Sequence, residues 1–376
     1  MYYLALHFST FIFIFLKQYF RDKNSLFIFT FVVVYFAMLL PSLRLDVGHD
    51  YYGYYDIFNS VKPLLSYSNF DDMFFYFSGI HGENGFLLII SIFKKLGLSF
   101  EFFIFFNACL NLAILTFVLI KFQKEFNINI FLSLFLYFSL FYFVSHFSQI
   151  RLGLVIVIFL LSIYFMIQKK MISYLLSILF GALFHKIILF ALPLYFIRNL
   201  NIHTYFKSTV ILMLGAILYK INILELLLSY ISGYDAWIVT QLFHYSTMEK
   251  YLDNSLPLLS IIYFCVIYFV SLFFHKKYVS SDSRNEQSVS LLLLLFLLSI
   301  FINIAFWNIG IIGGRISTIL FISVILLVPM IYKKIKSNNN KIIYLGLVLF
   351  YCFVQFYKSI YFENHGLLPY KTILGI

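Results

Sequence analysis

Apolar residues recur in this chain in runs of roughly 16 to 22, about the length an α-helix needs to cross the hydrocarbon core of a bilayer. No polar stretch between them is long enough to build a separate soluble domain. Charged residues make up only 11% of the chain, where a soluble domain of this size carries about a quarter. The expected fold is an all-α polytopic membrane protein, a single integral membrane domain over residues 1–376. The 50 phenylalanines and 30 tyrosines, and 21 lysines against six arginines, fit the codon bias of an AT-rich genome. Aromatic abundance by itself is therefore no sign of ligand stacking.

Spanning helices are expected near residues 2–16, 25–41, 100–120, 128–145, 150–167, 208–228, 256–274, 289–309, 316–332 and 341–360. The first run, "LALHFSTFIFIFL", has no charged segment before it and reads as an uncleaved span. Lysine and arginine in short loops favour the cytoplasm, which places "KQYFRDK" (17–23), "QKK" (168–170), "HKKYVSSDSRNEQ" (275–287) and "KKIKSNNNK" (333–341) inside. Residues 42–99, 229–255, 310–315 and 361–376 then lie outside.

Two segments do not fit as simple spans. Residues 86–96 are too short to cross and read as a re-entrant or interfacial helix. Residues 171–197 run between two cytoplasmic anchors, so they should enter and return as two short arms of about 20 Å each, with "FHK" (184–186) near the turn. Such geometry is tolerated where protein or a water-filled cavity surrounds it. The alternative is one long span that inverts everything upstream. With the hairpin, the chain makes about 12 crossings and both termini lie outside.

Three arginines break the orientation rule. Arg44 in "PSLRLD", Arg151 in "FSQIRLG" and Arg315 in "GIIGGRIS" each sit at the outer end of a span, where charge is costly unless paired or functional. Structural salt bridges to Asp46, Asp50 and Glu83 would account for them. An anionic, lipid-linked group at the outer leaflet would do so as well, since a guanidinium grips phosphate oxygens in a planar fork.

His185 is a titratable group at the same level, able to take a proton from a sugar hydroxyl or simply packed against a backbone carbonyl. Asp50 and Glu83 ("HGENGF") are candidates for base or for partners of the arginines. Tyr51, Tyr52, Tyr54 and Tyr55 form either an interfacial belt or a stacking surface for sugars. The outer loop 229–255, with Trp237 and His244, has the same aromatic and polar mixture and could cover a saccharide groove. Gly313 and Gly314 before Arg315 would allow close backbone approach, or are turn material. The three cysteines lie in apolar runs, and neither a disulfide framework nor a metal site is suggested.

In order along the chain, "LRLDVGHDYYGYYDIF", "HGENGFLLIISIFKKLGLSFEFF", "FSQIRLGLVIVIFLLSIYF", "ALFHKIILFALPLYF", "GRISTILFISVILLVP" and the tail "LLPYK" carry a likeness. The sequence resembles the Wzy-type polymerases of bacterial O-antigen, capsule and exopolysaccharide repeat units, especially the EpsG-like branch. One departure is Leu152 after Arg151, where the pattern usually has glutamine; Gln149 stands on the other side.

The resemblance implies a GT-C-like helical bundle in the bacterial cytoplasmic (inner) membrane, working at its periplasmic face without metal or other cofactor. The implied reaction moves a growing glycan from undecaprenyl pyrophosphate to the terminal sugar hydroxyl of another lipid-linked repeat unit. Arg44, Arg151 and Arg315 would then hold the pyrophosphate, and His185, Asp50 or Glu83 would deprotonate the acceptor. Tyr51, Tyr54, Tyr55, Trp237, His244 and Tyr370, in loops 42–99 and 229–255 and the tail, would contact the saccharide. The partners implied are the lipid-linked donor and acceptor, membrane lipid and a chain-length regulator protein, with no nucleic acid. A flippase for lipid-linked oligosaccharide, an O-antigen ligase and an acyltransferase remain as competitors. The clustering of arginines at one face argues against a transport path, which would place them at several depths.

Overall fold

The computed structural model of the protein describes residues 2–16, 23–200, 204–222, 258–278, 283–361 and 366–373. Among these the regular structure is helical, and extended pairing is limited to one antiparallel bridge, Arg44 with Thr372. The chain divides into two compact units, one of residues 1–192 and 349–376 and the other of 193–348.

The first unit contains α1 (Tyr2–Leu16), α2 (Lys23–Ser42), α3 (Tyr51–Ser60), α4 (Phe70–Ser78), α5 (Asn84–Lys95), α6 (Phe100–Phe126), α7 (Ile130–Leu140), α8 (Ile150–Ile167) and α9 (Met171–Ala182). Local chemistry sets the ends. Ser99 Oγ accepts from Phe102 N–H to start α6, Asn127 closes it in the left-handed conformation, and Asn129 Oδ1 caps α7 through Phe131 N–H. Helix α6 packs on α2 and α8, and α1 packs on α2 and α7.

Between α7 and α8, residues Val144–Ser148 wind as a π-helix. This wider turn brings the Ser145 backbone against Gly153, where a Cβ would stand 2.4 Å from Ser145 O. It also turns the Phe147 carbonyl away from the helix ladder and toward Arg44.

The second unit contains α10 (Leu194–Ile197), α11 (Tyr205–Lys220), α12 (Leu258–Lys277), α13 (Ser283–Ala305), α14 (Gly310–Phe321) and α15 (Val324–Lys334). Helix α16 (Asn338–Tyr361) begins in this unit and ends in the first. Small polar residues bridge its buried helices, through Ser208 to Tyr268 (2.8 Å), Ser299 to Ser317 (3.1 Å) and Ser271 to Tyr344 (3.0 Å). In hydrocarbon such hydrogen bonds join helices that the hydrophobic effect alone would not.

Among the described residues, six helical stretches are long and apolar enough to cross a membrane: 100–126, 150–167, 258–277, 284–305, 313–334, which carries a turn at 322–323, and 338–361. With the shorter apolar helices beside them, they make this a polytopic membrane protein. The expected helix at 150–167 forms with those bounds. The span expected at 316–332 is instead split at Ile322–Ser323 into α14 and α15, and the one expected at 128–145 gives way to the π-helix after Leu140.

Residues 84–95 form a separate short helix, α5, too short to cross. After α9 the chain turns at residues 183–185 and runs back as a 3-10 helix, Lys186–Ala191, against α9. The Tyr174 hydroxyl donates to Ala191 O across this hairpin, and Gly181 lets Ile188 close in. The segment 171–197 is thus broken after Ala182 and is not one long helix.

The tight crossing at Gly153 is testable by substitution. Alanine there should cost about 1–3 kcal/mol of stability, read as a lower Tm in detergent, because its Cβ overlaps the Ser145 backbone. Alanine at Gly346 on α16, where nothing lies within 4 Å, should not lower Tm. Equal losses at both positions would contradict this packing.

Candidate functional site

The polar residues of the segment 42–99 collect around helix α3. Tyr51, Tyr54 and Phe58, at helical spacing, form its buried stripe, while Tyr52 and Tyr55 point out and are exposed. The two buried tyrosines each meet a guanidinium. Arg44 lies over the Tyr51 ring at 5.5 Å, and Arg151 lies near Tyr54 at 6.0 Å and over Phe86 at 5.7 Å. Tyr51 and Tyr54 are thus packed supports for arginines, and Tyr55 with Tyr52 is the exposed aromatic surface.

Arg151 occupies the first turn of α8 and reaches back to the turn before α5. Its Nη1 donates to Glu83 Oε2 at 2.7 Å and its Nη2 to His81 Nε2 at 3.1 Å. The tripeptide His81-Gly82-Glu83 therefore grips one guanidinium with both flanking side chains. Gly82 between them sits at φ +158°, and a Cβ there would come within 3.0 Å of Leu87 Cδ2.

Glu83 stands at the N-cap position of α5 yet makes no capping bond of its own, which keeps its carboxylate for other partners. Oε1 accepts from Lys186 N–H at 3.3 Å, and His185 Nδ1 approaches the same oxygen to 3.3 Å. One carboxylate thus joins α8 to the turn of the α9 hairpin.

That junction depends on a backbone contact. Gly85 N–H donates to Leu183 O at 3.0 Å, and a Cβ on Gly85 would lie 2.6 Å from Leu183 Cβ. Only glycine lets α5 start this close to the turn that carries His185.

Burial of Glu83 would raise its pKa. The approach of His185, the Arg151 charge and the Lys186 N–H outweigh that effect and hold the carboxyl at about 2. Glu83 is therefore ionised at any physiological pH, an acceptor and not an acid. Beside an ionised carboxylate, a neutral imidazole places its proton on the facing Nδ1 and leaves Nε2 as an acceptor. A small rotation of the ring would turn this approach into a base held in orientation by a carboxylate.

Arg44 is elsewhere and buried, 1% exposed. Its Nη1 donates to Phe147 O at 2.6 Å, its Cζ lies 5.2 Å from the centre of the Phe147 ring, and Gly48, at φ +105°, leaves room for Nη1. Among the described residues nothing partners its Nε or Nη2. The tail forms a strap beside it, through Leu45 N–H to Lys371 O, Ile373 N–H to Leu43 O and Gly48 N–H to Gly366 O. Tyr370 pins that strap, its hydroxyl donating to Leu40 O at 2.6 Å and its ring lying against Tyr2 and Tyr3.

Glu83, Arg151 and His185 thus come together. Asp50 is the residue before α3 and stands outside that cluster, without a capping bond of its own. Arg315 lies in α14 of the other unit, and Trp237, His244 and the loop 229–255 fall outside the described residues. His81 was missed from the sequence, where an exposed histidine two residues before Glu83 looks like ordinary turn material. Its spacing to Glu83 was the available signal. Among the described residues no group of three or more His, Cys, Asp or Glu is placed to hold a metal ion.

Two outcomes check this geometry. Because the folded pKa of Glu83 is depressed, its contribution to stability is present above its ordinary value of 4.5 and is lost as pH falls toward about 2. Wild type should therefore lose more Tm than Glu83→Gln between about pH 6 and about pH 3; parallel losses would contradict the coupling. Gly85→Ala should push α5 off Leu183 and lower activity about tenfold or more at matched protein levels, as small misplacements of functional groups do. Wild-type activity in that variant would show that the contact does not set the site.

The sequence profile of the EpsG family matches residues 27–372, nearly the whole chain and every element of the cluster. Neither a curated protein nor a solved structure matches. The chain belongs to the EpsG family, a Wzy-like family of polysaccharide polymerases.

Proposed function

We propose that the protein polymerises lipid-linked oligosaccharide repeat units at the outer face of the bacterial cytoplasmic membrane, with undecaprenyl pyrophosphate as the donor's leaving group. The observation that carries this reading is the joining of Arg151, Glu83 and His185 at one point, within a family of polysaccharide polymerases.

In the proposed step the terminal sugar hydroxyl of the acceptor attacks the anomeric carbon of the donor glycan. The new C–O bond forms as the bond from that carbon to the pyrophosphate oxygen breaks. The electron pair leaves with undecaprenyl pyrophosphate, and the hydroxyl proton passes to His185 Nε2. Glu83 holds the imidazole through Nδ1 and stabilises the imidazolium that results.

Arg151 meets the departing pyrophosphate, where a preorganised guanidinium stabilises developing charge. Buried Arg44 contributes a fixed positive field without direct contact. Tyr55 and Tyr52 are the exposed rings offered to sugars. Arg315 enters the reading on the strength of the resemblance alone, and Asp50 serves no role that the cluster requires. Leu152, where the family pattern usually has glutamine, is a buried residue of α8, and Arg151 beside it keeps its bonds to Glu83 and His81.

The test is a polymerisation assay in membranes with purified lipid-linked repeat units. Wild type should build a ladder of multiples. Arg151→Ala and His185→Ala should stop at one repeat, with losses of about a hundredfold or more. Arg315→Ala joins the same panel. If wild type carries lipid-linked units across vesicles and makes no ladder, the reading is wrong. An intact ladder in His185→Ala would remove that residue from the role of base.

A further inference from the structure

His81 has no part in the reaction just described, yet it holds half of the Arg151 fork. A guanidinium is always protonated and offers only donors. With Arg151 Nη2 at 3.1 Å, His81 Nε2 must therefore be the acceptor, and the ring must be neutral with its proton on Nδ1. We infer that His81 is a positioning residue that aims Arg151 at the donor pyrophosphate only while its own ring is uncharged, so that donor binding weakens on acidification. This inference rests on the polymerase reading for its substrate.

The electrostatics of the two histidines on this ion pair are opposite. His185 lies against the Glu83 carboxylate, where a positive ring is welcome. His81 lies against the Arg151 guanidinium, where protonation sets N–H against N–H and places two positive charges about one hydrogen bond apart. The other groups facing Arg151 are Glu83 from the turn before α5, with Oε2 at 2.7 Å, and the Tyr54 ring from α3. Behind Glu83 stand His185 and the Lys186 N–H from the hairpin turn, and Asp50 lies near Tyr54. Of these, Glu83 remains ionised throughout the range in which histidines titrate. The pH response near neutrality therefore belongs to the two histidines, and they act on different quantities. His185 sets the rate of proton removal, whereas His81 sets the position of Arg151.

His81 is exposed to solvent, so its charge follows the pH of the medium on the side where it sits. Once protonated, it releases Nη2. Arg151 then keeps its bond to Glu83 and its packing on Tyr54 and Phe86, and its Nη2 is no longer held in direction.

The experiment measures the Kd for undecaprenyl pyrophosphate in nanodiscs, and the donor KM in the ladder assay, from about pH 5.5 to 8. Wild type, His81→Gln and His81→Lys are compared. Glutamine presents an amide oxygen to Nη2 at every pH, and lysine is a fixed cation.

Wild type should lose about tenfold in Kd and in donor KM on acidification, the scale of one hydrogen bond to a charged group. His81→Gln should bind as wild type does at pH 8 and hold that affinity at pH 5.5, while its kcat still falls through His185. His81→Lys should bind about tenfold more weakly at every pH. A Kd profile for His81→Gln that superimposes on wild type, or wild-type affinity in His81→Lys, would overturn the inference. Lipid binding with this pH dependence but without a ladder would retain the role of His81 and remove the polymerase reading instead.

Discussion

An arginine in the first turn of a membrane helix has to be neutralised, and the Arg151–Glu83 pair is how this protein does it. Both side chains are largely withdrawn from water, 13% and 11% exposed, so removing either would strand the other at a cost of about 3–5 kcal/mol. The pair also ties together three pieces of chain far apart in sequence: α8, the turn before α5 and the return of the α9 hairpin. Everything proposed for the site follows from that tie. The carboxylate that neutralises the arginine is the same one that orients His185, and it is ionised because these neighbours outweigh its burial.

Arg44 solves the same problem differently. It has no acidic partner within the described residues and is wrapped by the Phe147 carbonyl, two aromatic rings and the tail strap. Burying a cation without an anion is expensive. Surrounding protein dipoles and ring faces offset part of that cost, and the π-helix at 144–148 supplies the carbonyl that an ordinary α-turn would have used internally. The two guanidiniums sit about one helical turn apart along α3, on Tyr51 and Tyr54, and this explains why tyrosines in that helix are so closely spaced.

Much of this could be read directly from the sequence. The bounds of α8 follow from an apolar run between Gln149 and the "QKK" anchor, and the hairpin after it follows from two basic anchors that a single crossing could not both satisfy. Arg44, Arg151 and Arg315 were conspicuous because charge at the end of an apolar run needs a reason. What stayed hidden depended on contacts distant in sequence. The exposed and buried tyrosines of α3 differ only in which face meets the bundle. The break at Ile322–Ser323 carries no glycine or proline to announce it. His81 owes its role to an arginine 70 residues away, which no local pattern reveals. The bond from the Tyr370 hydroxyl to Leu40 O, 330 residues back along the chain, is equally invisible to local pattern.

The most direct test of the account is whether Glu83 and His185 act as one unit. The kcat/KM for polymerisation would be measured for wild type, Glu83→Gln, His185→Asn and the double variant. If the carboxylate works through the imidazole, the double variant should be no slower than His185→Asn alone, to within about threefold, as expected for residues that share one function. Losses that multiply would mean that the two side chains contribute independently, and the base assignment built on their contact would fail.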